Sequence, residues 1–103
     1  MSNVNKVRIY RNDEVYRVIS YIPKGHRHIR VYIETSDSRI VLQEATVSAI
    51  LRAFIGVKMH PKKLAIELRL ESLDNVKEGY AKYQLIETGR PENNILSEMN
   101  NLV

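Results

Sequence analysis

The sequence predicts a small α+β domain: a mostly antiparallel sheet of about five to six strands with one principal helix, residues 44–56, packed on one face. Three patterns carry that expectation. Ile29, Val31 and Ile33 alternate with His28, Arg30, Tyr32 and Glu34, the period of a strand with one face in a core and the other in water. Val47, Ile50, Leu51, Phe54 and Ile55 recur at helical spacing as a single apolar stripe. Leu64, Ile66, Leu68 and Leu70 alternate with Ala65, Glu67, Arg69 and Glu71 in the strictest period-two run of the chain.

Taken in order, Lys6 to Arg11 alternates cleanly and predicts a first strand, with Val7 and Ile9 on one face and Arg8 and Tyr10 on the other. Asn12-Asp13-Glu14 is turn chemistry, and Val15 to Ile22 is β-branched and aromatic enough for a strand, with apolar groups on both faces. Pro23-Lys24-Gly25 closes it, since proline presets φ and glycine accepts the conformation of a tight turn. Ser36-Asp37-Ser38 turns the chain again, and Arg39 to Gln43 returns as a hairpin strand. The helix begins near Glu44, whose carboxylate suits the positive end of the dipole, and ends near Gly56 at a left-handed C-terminal position. Phe54 is the central large residue of its stripe, so its truncation is expected to leave a cavity. After the Leu64–Leu70 strand, with Glu67 and Glu71 as surface charges, Tyr80 to Thr88 reads as a pairing strand; a helical face from Ser72 is the other reading. Residues 91–103 form a tail, either a short amphipathic helix or a mobile terminus, beyond a single domain of residues 1–90.

One domain is what 103 residues hold. The longest apolar run falls far short of the ~20 residues of a membrane span, so no membrane partner is expected. The sequence MSNVNKVRIY lacks the features of a signal peptide, and the absence of cysteine leaves nothing to staple a fold outside the cell, so a cytoplasmic location is expected. Lack of cysteine also excludes thiolate catalysis and cysteine-ligated zinc.

Charge is more informative than length. Up to Arg39 the chain carries eight basic residues against four acidic; from Ile40 onward the two signs balance. The whole net charge of +4 therefore sits in the first part, which points to an anionic partner. Tyr10, Tyr16, Tyr21 and Tyr32 lie in the same part. Bases of a single strand stack on aromatic rings while arginines track phosphate, so tyrosine and arginine on adjacent strands suit single-stranded nucleic acid. The candidate nucleic-acid-binding residues are Arg8, Tyr10, Arg17, His28, Arg30, Tyr32 and Arg39.

Other chemistries have less to stand on. His26 and His28 sit two apart and could share an ion with Glu34 or His60, yet a zinc site wants three or four placed ligands. No glycine-rich phosphate loop, serine elbow or paired-carboxylate motif is present, so no catalytic residue, metal or cofactor is assigned and no enzyme is expected. A small domain with a one-faced helix and a strictly alternating strand is expected to find cover in a homodimer. The alternative to nucleic-acid binding is a small protein-interaction module, a regulator or inhibitor of an acidic protein.

The segment IRVYIETSDSRIVLQEATVSAILRAF, Ile29 to Phe54, resembles the strand, turn, basic strand and helix that end the single-stranded-DNA-binding fold of Whirly proteins and the positive transcriptional coactivators. The resemblance implies curved strands followed by a helix that packs in a homodimer, with DNA along the sheets. On it, Arg30, Tyr32 and Arg39 match the binding-strand positions. Lys62 to Thr88 is an addition to that pattern.

Overall fold

The computed structural model describes residues 6–74 and 82–102. Its secondary structure is β1 (Val15–Tyr21), β2 (Arg30–Thr35), β3 (Arg39–Gln43), α1 (Glu44–Lys58), β4 (Leu68–Ser72), β5 (Tyr83–Glu87) and α2 (Glu92–Asn100). The α+β class is as expected. The strands form two antiparallel sheets, β1-β2-β3 and β4-β5, where one sheet was expected, and a second helix joins the first. The chain divides into two compact units, Met1–Val47 and Ser48–Val103.

In the first unit β2 is the central strand, paired with β1 along one edge and with β3 along the other. Between β1 and β2 the His26 N–H donates to the Pro23 carbonyl at 3.0 Å, and Gly25 takes φ +83°, a conformation that a Cβ would strain. Between β2 and β3 the Thr35 N–H donates to the Ser38 carbonyl at 2.8 Å, and the Ser38 N–H donates to Thr35 Oγ1 at 3.0 Å. The β1–β2 register shifts between Val15 and Arg17, so Tyr16 sits in a β-bulge. Residues 6–11 are not a strand. The side chains of Arg8 and Tyr10 are tied to the β2–β3 turn instead, and Asn12–Glu14 is a single 3-10 turn leading into β1. The first turn of α1 is anchored by Glu44, whose Oε1 accepts the Ile29 N–H at 2.7 Å. That bond, with His28 adding to it, holds the Glu44 carboxyl below its ordinary range.

In the second unit α1 continues through Gly56 to Lys58. The glycine lies inside the helix, away from the left-handed end position expected of it. A Cβ there would collide with Ile66 Cδ1, the end of that side chain, so one of the two would have to shift. The strand expected from Leu64 begins only at Leu68. Ahead of it the N–H groups of Leu64 and Ala65 donate to one oxygen of Glu92, the first residue of α2, the latter at 3.0 Å. The preceding Pro91 suits this entry, and its carbonyl accepts the Ile95 N–H at 3.2 Å. β5 pairs with β4 from Leu68↔Glu87 to Ser72↔Tyr83, in accord with the strand reading of Tyr80 to Thr88; positions 80 and 81 of that reading lie outside the described residues.

Glu67, read from sequence as a surface charge, is a junction. Its carboxylate accepts Thr88 Oγ1 at 2.9 Å and two bonds from Arg90, at 3.1 and 2.8 Å, and Arg90 also reaches Glu98 at 2.6 Å. Burial pushes its pKa upward, but the bonds from Thr88 and Arg90 outweigh it and leave the group below its ordinary value.

Among the described residues the buried apolar side chains are Ala49 and Ile95 alone. The α1 stripe is open: Ile50, Leu51, Phe54 and Ile55 are 52–62% exposed, so Phe54 does not fill the core position expected of it. No described helix is long and apolar enough to cross a membrane.

Candidate nucleic-acid interface

Strand pairing decides which side chains share a face, since residues directly opposite in an antiparallel ladder project to the same side. Arg17↔Glu34, Ile19↔Tyr32 and Tyr21↔Arg30 link β1 to β2, and Arg30↔Gln43, Tyr32↔Val41 and Glu34↔Arg39 link β2 to β3. One face of the three strands thus carries Arg17, Ile19, Tyr21, Arg30, Tyr32, Glu34, Arg39, Val41 and Gln43. Val15, Val18, Ser20, Val31, Ile33, Thr35, Ile40 and Leu42 project from the other, which is mostly apolar. Four of the seven candidate residues, Arg17, Arg30, Tyr32 and Arg39, are brought together on the polar face.

Arg17 is the most constrained of these. Its Nε donates to Glu34 Oε1 at 2.9 Å while its guanidinium lies 5.4 Å from the centre of the Tyr32 ring. A cation on an aromatic face and a carboxylate at its flank fix the plane of the group. Glu34 first, and Tyr32 second, strengthen its hold on its proton. Tyr32 is half-buried between its neighbours, whereas Arg39 is exposed at the start of β3.

The remaining three candidates are placed elsewhere. Arg8 and Tyr10 belong to the irregular segment before β1, and both are engaged. Arg8 donates to Glu14 at 2.5 Å and to Asp37 at 3.2 Å, its guanidinium lies 4.4 Å from the centre of the Tyr10 ring, and the Tyr10 hydroxyl donates to Asp37 at 2.6 Å. The Tyr10 bond first, then Arg8, hold the Asp37 carboxyl at about 2. Expecting Arg8 and Tyr10 on a sheet face was therefore mistaken in its physical premise: an alternating hexamer needs a neighbouring strand, and here side-chain partners took its place. His28 lies in the bend before β2, its Nδ1 3.4 Å from Glu44. His60 accepts the Lys62 N–H, and no three metal-binding side chains gather among the described residues.

Five members of the face, Ile19, Tyr21, Glu34, Val41 and Gln43, were not among the candidates. Tyr21 stands opposite Arg30, and its parity with Arg17 in the β1 run was the available signal. Glu34 shares the parity of Arg30 and Tyr32, but a carboxylate on a basic face does not announce itself by charge.

Compared with models of known protein families, with curated proteins and with solved structures, the chain matches none.

Proposed function

We propose that this protein binds single-stranded nucleic acid without catalysing a reaction on it, through the polar face of the β1-β2-β3 sheet, and that it does so as a homodimer in the cytoplasm. One observation carries the reading: strand register gathers Arg17, Arg30 and Arg39 with Tyr21 and Tyr32 on one face, opposite a face mostly of valine, isoleucine and leucine. Arginines supply phosphate contacts and tyrosines supply stacking platforms, the two components of sequence-tolerant single-strand binding. The likeness of residues 29–54 to sheet-binding single-stranded-DNA proteins points the same way. Arg8, Tyr10 and His28 have secondary roles in this reading, since they lie outside the three paired strands. The exposed α1 stripe supports a second copy as its cover, because side chains of this size are normally removed from water.

Titration of labelled single- and double-stranded oligonucleotides at two salt concentrations tests the proposal, and the two residue types fail differently. Arg30→Ala weakens binding and flattens the log–log salt dependence by ~0.7, the share of one phosphate contact on a single strand. Tyr32→Ala weakens binding by ~1–3 kcal/mol with the salt slope intact, because stacking releases no counterions. Arg69→Ala, on β4, is nearly silent. No binding of any oligonucleotide at low salt sinks the reading and leaves the interaction module for an acidic protein in its place.

A further inference from the structure

Glu34 sits where a phosphate-binding face has least use for it. It is flanked by Arg17, bonded to it from β1, and by Arg39, directly opposite on β3, and it follows Tyr32 on the same face of the central strand. Its side chain is 32% exposed, and among the described residues Oε2 accepts no hydrogen bond while Oε1 takes Arg17. A phosphate brought to this point is repelled. What a carboxylate accepts is a hydrogen-bond donor, and on a nucleic acid the donors are on base edges. The edge is within reach of a base stacked on Tyr32, because residues two apart on a strand project side by side about 7 Å apart. Guanine alone offers two adjacent donors on its pairing edge, N1–H and the N2 amino group, to match the two oxygens of a carboxylate. In a duplex that edge is occupied by cytosine; in a single strand it is free.

We infer that Glu34 is a specificity-determining residue that accepts N1–H and N2–H of an unpaired guanine stacked beside it on the layer that Arg17 and Tyr32 form together, with Arg17 holding the carboxylate in position. The inference rests on the proposed binding function and adds to it a preference among bases. Glu34 also confers selection against duplex, since paired guanine cannot present the edge it reads.

The test uses thymine 12-mers of single-stranded DNA with thymine, guanine or hypoxanthine at one central position, titrated by fluorescence anisotropy against the full-length protein. The guanine strand is expected to bind about 5–20-fold more tightly than the all-thymine strand, the gain of a bidentate base contact, with hypoxanthine, which lacks the N2 amino group, in between. Glu34→Gln is expected to abolish the ranking while binding the all-thymine strand more tightly, because a carboxylate that opposes phosphate is gone and Arg17 is released. Equal affinity of the unmodified protein for all three strands overturns the assignment and leaves the binding function standing. So does a Glu34→Gln protein that keeps the ranking. Failure of every strand to bind at low salt overturns both, so the two failures are told apart. The comparison of the three strands on the unmodified protein decides the matter even if the variant does not fold.

Discussion

Adding one methyl group at Gly56 should have opposite effects in two backgrounds. Gly56 lies inside α1, where alanine is favoured over glycine by about 1 kcal/mol through reduced backbone freedom in the unfolded chain. Against that gain stands Ile66, whose Cδ1 occupies the place of the new Cβ, while its Cγ1 lies at 3.8 Å, an ordinary contact distance. Forcing a methyl into occupied space costs about 1–3 kcal/mol. The net effect of Gly56→Ala is thus a loss of up to about 2 kcal/mol. Ile66→Val removes Cδ1 and nothing else, at a cost of about 0.5–1.5 kcal/mol. In that background the obstruction is absent, and Gly56→Ala should stabilise by about 1 kcal/mol. Urea denaturation of the four proteins in the cycle measures a coupling of about 1–3 kcal/mol. If Gly56→Ala shifts stability equally in both backgrounds, Ile66 Cδ1 does not sit against the helix and the account of this glycine fails.

Other outcomes follow from the side-chain networks. Asp37 titrates at about 2 in the folded chain against an ordinary 3.8, so the stability it contributes is complete above about pH 4 and is lost as pH falls through 2; Asp37→Asn should flatten the acid limb of stability against pH. Glu67→Ala should lower the thermal midpoint well beyond Glu71→Ala, since only the first strips partners from Thr88 and Arg90; equal midpoints would remove Glu67 from its junction. Phe54→Ala should change the stability of the isolated chain by no more than about 0.5 kcal/mol, as exposed substitutions do, yet shift the mass measured by light scattering toward the monomer; an unchanged dimer mass would place the contact between copies elsewhere.

What the sequence made legible was local. Alternation in Arg30–Thr35, a Ser-Asp-Ser turn and a stripe at helical spacing each depend on neighbours within a few residues, and β2, β3 and α1 fall where those signals put them. The polar face was legible for the same reason, because parity within β2 alone places Arg30 beside Tyr32. The failures involve distant partners. Nothing local in Lys6–Arg11 reveals that Asp37 will take both Arg8 and Tyr10, and nothing in Leu64–Glu67 reveals a carboxylate 28 residues later bonded to the Leu64 N–H. Gly56 carried the composition of a helix end while it sits against Ile66, ten positions on. Glu67 looked solvated because its partners, Thr88 and Arg90, arrive from beyond β5.

The bulge at Tyr16 sets where this protein can change length. Val15 pairs with Thr35 and Arg17 with Glu34, adjacent positions on β2, so the sheet steps over Tyr16 without counting it. Deleting that residue restores plain alternation and leaves Arg17, Ile19 and Tyr21 on the face they now occupy. Deleting a residue anywhere from Val18 to Ser20 turns part of the strand over and carries Arg17 or Tyr21 off the polar side. Descendants of this sequence that differ by one residue in β1 should therefore differ at the bulge.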